Sequence, residues 1–218
     1  MAQNRNDPKI LLREGALRLG LHLEDQQVAK FLVYLEQLKR WSRRINLTSI
    51  TGDRAIIERH FLDSLVGSAG FKPHEGLRLL DIGTGAGFPG LPLKLYHPEI
   101  HLTLVEAVHK KAAFLHQLCG ILKLHEVFVL TERIEALYPQ REHQGAYEVI
   151  VARAFAKPKL TWEVAAPFLK PGGRILIYLT PSAARDLNPV PGWQFQSLDY
   201  ELPFSEAKRS LLMIDSIG

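Results

Sequence analysis

Apolar residues fall at Val28, Phe31, Leu32, Leu35, Leu38, Trp41 and Ile45, a spacing of three and four that places them on one face of a helix. This pattern predicts a helix across 28–45, a shorter one over 10–19, and a third from about Asp53 to Ser68 with Thr51 or Asp53 as its cap. Arg40, Arg43 and Arg44 fall near the C-terminal end of the long helix, where positive charge also complements the helix dipole. Phe71-Lys-Pro-His-Glu-Gly76 then breaks the pattern and marks a boundary. A helical cap, 1–75, and a second region, 76–218, are expected to form one compact unit.

Beyond the boundary the rhythm alternates between short apolar runs and helical patterns. Strands are predicted at 77–82, 101–106, 126–130, 147–152 and 174–179, with helices at 90–96, 108–122 and 159–169. Such alternation predicts a mostly parallel sheet covered on both faces. Two further runs, 193–201 and 209–217, are joined by Pro203-Phe-Ser-Glu-Ala-Lys208. That connection is too short for a helical crossover, so the pair should be antiparallel. The expected fold is α/β and Rossmann-like: a mostly parallel seven-stranded sheet with a C-terminal antiparallel hairpin, plus the N-terminal helical extension.

The 218 residues are 46% hydrophobic and 23% charged, ordinary values for a soluble globular chain. The start, Met-Ala-Gln-Asn-Arg-Asn-Asp-Pro, lacks the apolar core of a signal peptide. No apolar run approaches the roughly 20 residues of a membrane span, and one cysteine, Cys119, leaves no internal disulfide. A cytoplasmic protein without a membrane partner is expected. The net charge of +4 is modest, and its distribution says more than its size. Lys39, Arg40, Arg43 and Arg44 stand without an acid between Gln37 and Gly52. Arg153, Lys157, Lys159, Lys170 and Arg174 face only Glu163 in the stretch they span. Both stretches suit a surface that follows nucleic-acid phosphates, and both suit solvated helix faces.

Chemistry concentrates in Leu79-Leu-Asp-Ile-Gly-Thr-Gly-Ala-Gly-Phe-Pro-Gly90. A strand ends in an acid, Asp81, and Gly83, Gly85 and Gly87 follow at alternate positions. Such a loop lets backbone approach a ligand closely. Asp81 suits a cation and repels a phosphate, which points to S-adenosylmethionine (SAM), whose amino and sulfonium groups are positive. Gly85-Ala-Gly-Phe-Pro-Gly90 also fits a dinucleotide fingerprint, so an NAD-binding oxidoreductase is the rival. Against it, the first turn glycine is Gly83, and Pro89 removes a backbone donor where a pyrophosphate would seek one. Glu106, at the end of the second strand, is placed to accept ribose hydroxyls of either ligand. The loop Thr131-Glu-Arg-Ile-Glu135 is placed to wrap an adenine, with Ile134 against the ring.

After the fourth strand comes Arg153-Ala-Phe-Ala-Lys157-Pro158, without the polar-Pro-Pro-aromatic motif of enzymes that methylate exocyclic amines. Pyrimidine C5 methylation needs a cysteine nucleophile, and Cys119 sits in mid-helix, as a small buried side chain would. No histidine pair has convincing ligand spacing, so no metal is expected. An acceptor with its own lone pair and no proton to lose remains, and guanine N7 is one such acceptor. Positioning alone can supply roughly 7–11 kcal/mol in such a reaction, so no catalytic base is assigned.

Trp41-x4-Asn46-Leu-Thr48, Arg59-His-Phe-Leu-Asp63-Ser-Leu, Asp81 through Pro92, Glu106 with Lys110-Lys111, Arg133-x-Glu135 and Arg153-Ala-Phe-Ala156 occur in that order. Across residues 25–180 the chain resembles the bacterial 16S ribosomal RNA guanine-N7 methyltransferases once called glucose-inhibited division protein B. The resemblance implies the class I SAM-dependent methyltransferase fold, SAM as cofactor, and 16S ribosomal RNA or the small ribosomal subunit as partner. It carries cofactor contacts to Gly83, Phe88, Ile134, Glu135 and Arg153, the last able to meet either the SAM carboxylate or an RNA phosphate. A small-molecule methyltransferase and a non-catalytic RNA-binding module are the alternatives. Arg43, Arg44, Asn46, Arg59, His60, Lys110, Lys111 and Lys157 are the candidates for RNA contact. Several have plainer readings: an Arg59–Asp63 surface ion pair four residues apart, a capping or core role for His60, a helix-closing role for Asn46, and an exposed lysine face. Trp41 suits a packing anchor or a base-stacking platform. The chain departs from the family pattern at Ser42 and at Thr180-Pro181, where Asn and Lys-Gly are usual.

Overall fold

A computed structural model describes residues 6–184 and 190–217. The cap opens with α1 (Pro8–Arg18), where Asp7 accepts a hydrogen bond from Lys9 N and proline occupies the first turn. A reciprocal Glu24–Gln27 capping box starts α2 (Asp25–Ser42). The third predicted helix exists as a run of short turns: α3 (Asp53–Ile56), a π turn (Ile57–Leu62), α4 (Asp63–Leu65) and a 3-10 turn (Val66–Gly70). Its expected cap is corrected: Gly52, at φ +84°, stands at the N-cap without a side-chain bond, and Asp53 pairs instead with Lys39.

Seven strands follow: β1 (Arg78–Ile82), β2 (His101–Val105), β3 (Val127–Leu130), β4 (Tyr147–Arg153), β5 (Leu169–Leu179), β6 (Trp193–Glu201) and β7 (Lys208–Ser216). They form one sheet in the order β3-β2-β1-β4-β5-β7-β6. The first five are parallel, and β7 runs antiparallel to both β5 and β6. Between them lie α5 (Gly90–Tyr96), α6 (His109–Ile121), α7 (Pro158–Ala165) and α8 (Pro181–Ala184). Strand β5 begins five residues before the predicted Arg174, because Leu169 already pairs with Tyr147 across an irregularity in register. The predicted helix 159–169 accordingly stops at Ala165, with a 3-10 turn over Ala166–Phe168.

Alternation along β1 explains both layers. Leu79 joins one buried cluster with Phe31, Leu38, Phe61 and Phe114, whereas Leu80 and Ile82 join a second with Tyr147, Ala165 and Phe168. The cap therefore shares a core with one face of the sheet. It is also tied to the far hairpin: the buried Glu58 accepts hydrogen bonds from Phe204 N (2.7 Å) and Ser205 N (2.6 Å). Phe204 lies between the guanidinium groups of Arg18 and Arg54, at 5.1 and 5.0 Å. Among the described residues no helix is long and apolar enough to cross a membrane.

Candidate active site

From β1 the chain winds outward to β2 and β3, then returns to β4 on the other side. The crevice at the carboxyl ends of β1 and β4 is thus a topological switch point, where ligands bind in open α/β sheets. Two turns border it, Gly83–Gly87 after β1 and Ala154–Ala156 after β4. Gly83 and Gly85 adopt φ of +67° and +62°, a region that L side chains rarely enter. A Cβ on Gly83 would stand 2.7 Å from Phe155, whereas one on Gly85 would meet nothing within 4 Å. The loop is thus packed from behind and open in front, a cradle for a ligand that needs close backbone approach. It borders a cleft of about 430 Å³, whose walls include Thr48, Arg59, His60, Phe88, Arg153 and Arg209.

The acid read at the mouth of this loop lies beneath it. Asp81 is fully buried, because its strand position turns it to the face of Leu79, under the start of α5. Its Oδ2 accepts hydrogen bonds from Thr84 Oγ1 (2.6 Å) and Gly90 N (2.7 Å), while Oδ1 is buried without a partner. Burial pushes its carboxyl up to about 7. Glu106 also holds the loop, accepting from Gly85 N (2.9 Å) and Val108 N (2.8 Å). Each of its oxygens keeps a second lone pair for another donor.

Arg153, at the end of β4, anchors a polar network. Its Nη1 donates to Asp63 Oδ2 (3.0 Å) and to the Arg59 carbonyl (3.1 Å), and its Nη2 to His60 Nδ1 (2.9 Å). Asp63 Oδ1 accepts in turn from the Tyr200 hydroxyl (2.7 Å). The plainer reading of Arg59 and Asp63 as an ion pair does not hold: Asp63 turns inward to Arg153 while Arg59 faces solvent. Arg59 lies in the π turn and Asp63 directly follows it, so residues four apart no longer stack as they do on an α-helix.

His60 is the middle of this network. Arginine can only donate, so Nδ1 must be an acceptor, and the ring proton sits on Nε2, donated to Thr48 Oγ1 (2.7 Å). The ring stacks on Phe88 at 4.4 Å, and Phe88 stacks on Tyr34 at 5.3 Å. Burial, then the Arg153 charge, lower His60 to about 3. The folded value lies below the unfolded one, so the unfolded chain binds the extra proton and this contribution to stability is complete above about pH 6.5. It should be lost progressively as pH falls toward 3. NMR should accordingly find the His60 ring neutral, Nε2-protonated and untitrated from pH 8 down to 5.

Gly83, Gly85, Phe88, Arg59, His60 and Arg153 converge on the cleft. Asp81, Gly87, Glu106, Ile134 and Glu135 do not line it; Ile134 belongs to the second core cluster, and Glu135 is exposed. A Cβ on Gly87 would stand 2.6 Å from the Tyr34 hydroxyl, so that glycine serves packing. Arg43 lies in a separate groove of about 570 Å³ with Lys39 and Arg40. Arg44, Asn46, Lys110 and Lys157 are exposed and Lys111 half-buried, all outside the cleft. Trp41 packs edge-on against Phe114 at 5.7 Å, and burial raises the Cys119 thiol to about 11, which keeps it an unreactive thiol. Sequence reasoning missed Phe155, Tyr200 and Arg209 as site residues. The last two come from the C-terminal hairpin, facing each other across β6 and β7, and the pairing of β7 with β5 brings them here.

Residues 27–201 match the family model GidB, described as rRNA small subunit methyltransferase G. A protein named ribosomal RNA small subunit methyltransferase G from Roseiflexus castenholzii is 48% identical over 157 residues, covering 72% of this chain and 67% of that one. Its namesake from Alkaliphilus metalliredigens is 34% identical over 97% of this chain and 91% of its own length. Among solved structures, an O-methyltransferase from Bacillus cereus in complex with SAH superposes with a TM-score of 0.60 at 15% identity, over 84% of this chain and 90% of that one.

Proposed function

This chain belongs to the rRNA small subunit methyltransferase G family, and we propose that it methylates N7 of one guanine in small-subunit ribosomal RNA with S-adenosylmethionine as donor. The methyltransferase activity and the class I fold follow from family membership and architecture. The atom, the donor and the residue assignments are our reading. One observation carries it: among the described residues, the side chains around the cleft are committed to one another and leave no base to remove a proton. Both His60 nitrogens are engaged, and Asp63 serves Arg153 and Tyr200. Guanine N7 needs no base, because it attacks with its own lone pair and has no proton to lose.

The donor would supply an electrophilic methyl group on a positively charged sulfur. Gly83, Gly85 and Phe88 would cradle it, with Ile134 and Glu135 closing from the next loop. Asp81 and Glu106 fix the loop's shape. Arg153 has five N–H donors, three of them already spent inside the protein, which leaves two for a carboxylate. Arg43, Arg44, Asn46, Arg59, Lys110, Lys111 and Lys157 would follow RNA phosphates. His60 would act through the position of Arg153, since its own nitrogens are taken. An A-form duplex hides N7 in a deep, narrow groove, so the target guanine should be unpaired or drawn out of its stack.

Labelled SAM given to unmodified ribosomal RNA and to small subunits tests the reading. The expected product carries the label on one guanine that borohydride and aniline cleave as N7-methylated. Label on another atom overturns the N7 assignment, and no label in either RNA overturns the whole reading.

A further inference from the structure

Helix α2 of the cap meets the glycine loop through Tyr34, a fully buried side chain that does not line the cleft. Its hydroxyl donates to Ala86 O at 2.5 Å. Burial pushes that hydroxyl well above the ordinary phenol range, so the donated proton stays in place. The approach needs Gly87, where a Cβ would stand 2.6 Å from the hydroxyl. The Tyr34 ring also lies parallel to Phe88, at 5.3 Å and 6°, and Phe88 lies parallel to His60, at 4.4 Å and 9°. The Arg153 guanidinium stands 5.2 Å from the centre of the Phe88 ring. Ala86 and Phe88, both touched by Tyr34, are walls of the cleft.

We propose that Tyr34 is a positioning residue for the methyl donor: from the cap, it holds the glycine loop and the Phe88 ring in the donor's shape before the donor arrives. The inference rests on the reading that this cleft takes SAM, and deepens it by making the cap part of the donor site. Gly83, Gly85 and Gly87 all hold positive φ, and glycine loses more freedom on ordering than any other residue. A loop ordered only on binding would therefore cost affinity, and a loop fixed beforehand keeps it. Asp81 fixes this one by accepting from Thr84 and Gly90, and Glu106 by accepting from Gly85. Tyr34 supplies the complementary contact, a donor to a loop carbonyl. Without the hydroxyl, the buried Ala86 carbonyl loses that partner. Turning its peptide toward water to recover one would swing Gly87 and Phe88 with it.

Calorimetry of the full chain with S-adenosylhomocysteine tests the assignment. Tyr34→Phe keeps the stacked ring and removes only the hydroxyl, and the dissociation constant should rise about tenfold, or about 1.4 kcal/mol. In steady state the KM for SAM should rise by the same factor, while kcat and the KM for RNA stay within about twofold. Phe31→Leu controls for general destabilisation, because Phe31 stands three residues earlier on α2 and packs on Phe61 at 5.2 Å, as Tyr34 does at 5.0 Å. It should lower the melting temperature and leave the affinity within about twofold. In the ligand-free protein, amide exchange reports the loop directly. The N–H groups of Gly87 and Phe88 donate to Thr84 O at 3.0 and 2.9 Å, and they should exchange several-fold faster in Tyr34→Phe than in Phe31→Leu. Unchanged S-adenosylhomocysteine affinity in Tyr34→Phe, or an equal loss in both variants, overturns the inference and leaves the donor assignment standing. Wild-type protein that binds no S-adenosylhomocysteine overturns the donor assignment and this inference with it.

Discussion

Asp63→Ala should destabilise the protein by about 3–5 kcal/mol, the usual cost of removing one partner from a buried ion pair. The side chains of Arg153 and Asp63 are 16% and 6% exposed, and Asp63 also receives the Tyr200 hydroxyl. Its loss leaves a guanidinium short of its counter-charge and a hydroxyl short of its acceptor. For a chain of this size the melting temperature should fall by roughly 6–20 °C. Asp63→Asn keeps an oxygen for one donor and should fall between the two. Adding Arg153→Met to Asp63→Ala should recover part of the loss, since the uncompensated charge is gone. Thermal melts of the three proteins decide the point. A loss under about 1 kcal/mol in Asp63→Ala, the scale of an exposed pair, would show that the network is not holding Arg153.

Much of this architecture was legible in the chain. The edge strand β6 occupies the predicted 193–201, and α5 the predicted 90–96, because Pro and Gly clusters punctuate both. The strand predicted at 174–179 starts after Lys170-Pro-Gly-Gly173, a stretch with the composition of a loop. Those residues nonetheless continue the strand, with Gly173 so close to Glu148 O that a Cβ would stand 2.9 Å away. The π turn has no sequence signature in the apolar pattern: Ile57, Phe61 and Leu65 keep helical spacing across it. It decides where Asp63 and His60 point, so the apolar pattern does not reveal the partner of Arg153.

Site residues divide along the same line. Gly83, Gly85, Phe88 and Arg153 are local to strand ends, and the order of strands brings them together. Arg209 is the second residue of an otherwise ordinary apolar strand, β7, and nothing near it in sequence signals a ligand. The pairing of β7 with β5, Ser210 opposite Leu179, sets its position, and two ties fix that strand pair to the cap: Glu58 gripping the hairpin turn and Tyr178 donating to Ser64 O at 2.6 Å. These ties join residues more than a hundred positions apart. The rival oxidoreductase reading is displaced by the family match, although a glycine loop and an acid after β2 serve both ligand classes equally.

The second large effect concerns Asp81, where stability and binding should move in opposite directions. Its folded value of about 7 lies above the ordinary 3.8. Below 3.8 the carboxyl is protonated in both states. Between 3.8 and 7 the unfolded chain gives up its proton first, so stability falls as pH rises, by about 4 kcal/mol in all. Asp81→Asn presents an amide oxygen to Gly90 N and Thr84 Oγ1 and has no charge to bury. It should therefore match or exceed the wild type in melting temperature at pH 8 and lose this part of the pH dependence. Binding should suffer, because a cationic donor held over the loop favours the ionised carboxylate. Wild-type affinity for SAM should rise with pH up to about 7 and then level off, as proton release on binding ceases to cost anything. Calorimetry at pH 6.5 in two buffers of different ionisation enthalpy should detect that released proton. Asp81→Asn should release none and bind more weakly at every pH. A variant that melts lower than the wild type at pH 8 and binds SAM normally would make Asp81 a structural strut only, with no electrostatic part in choosing the ligand.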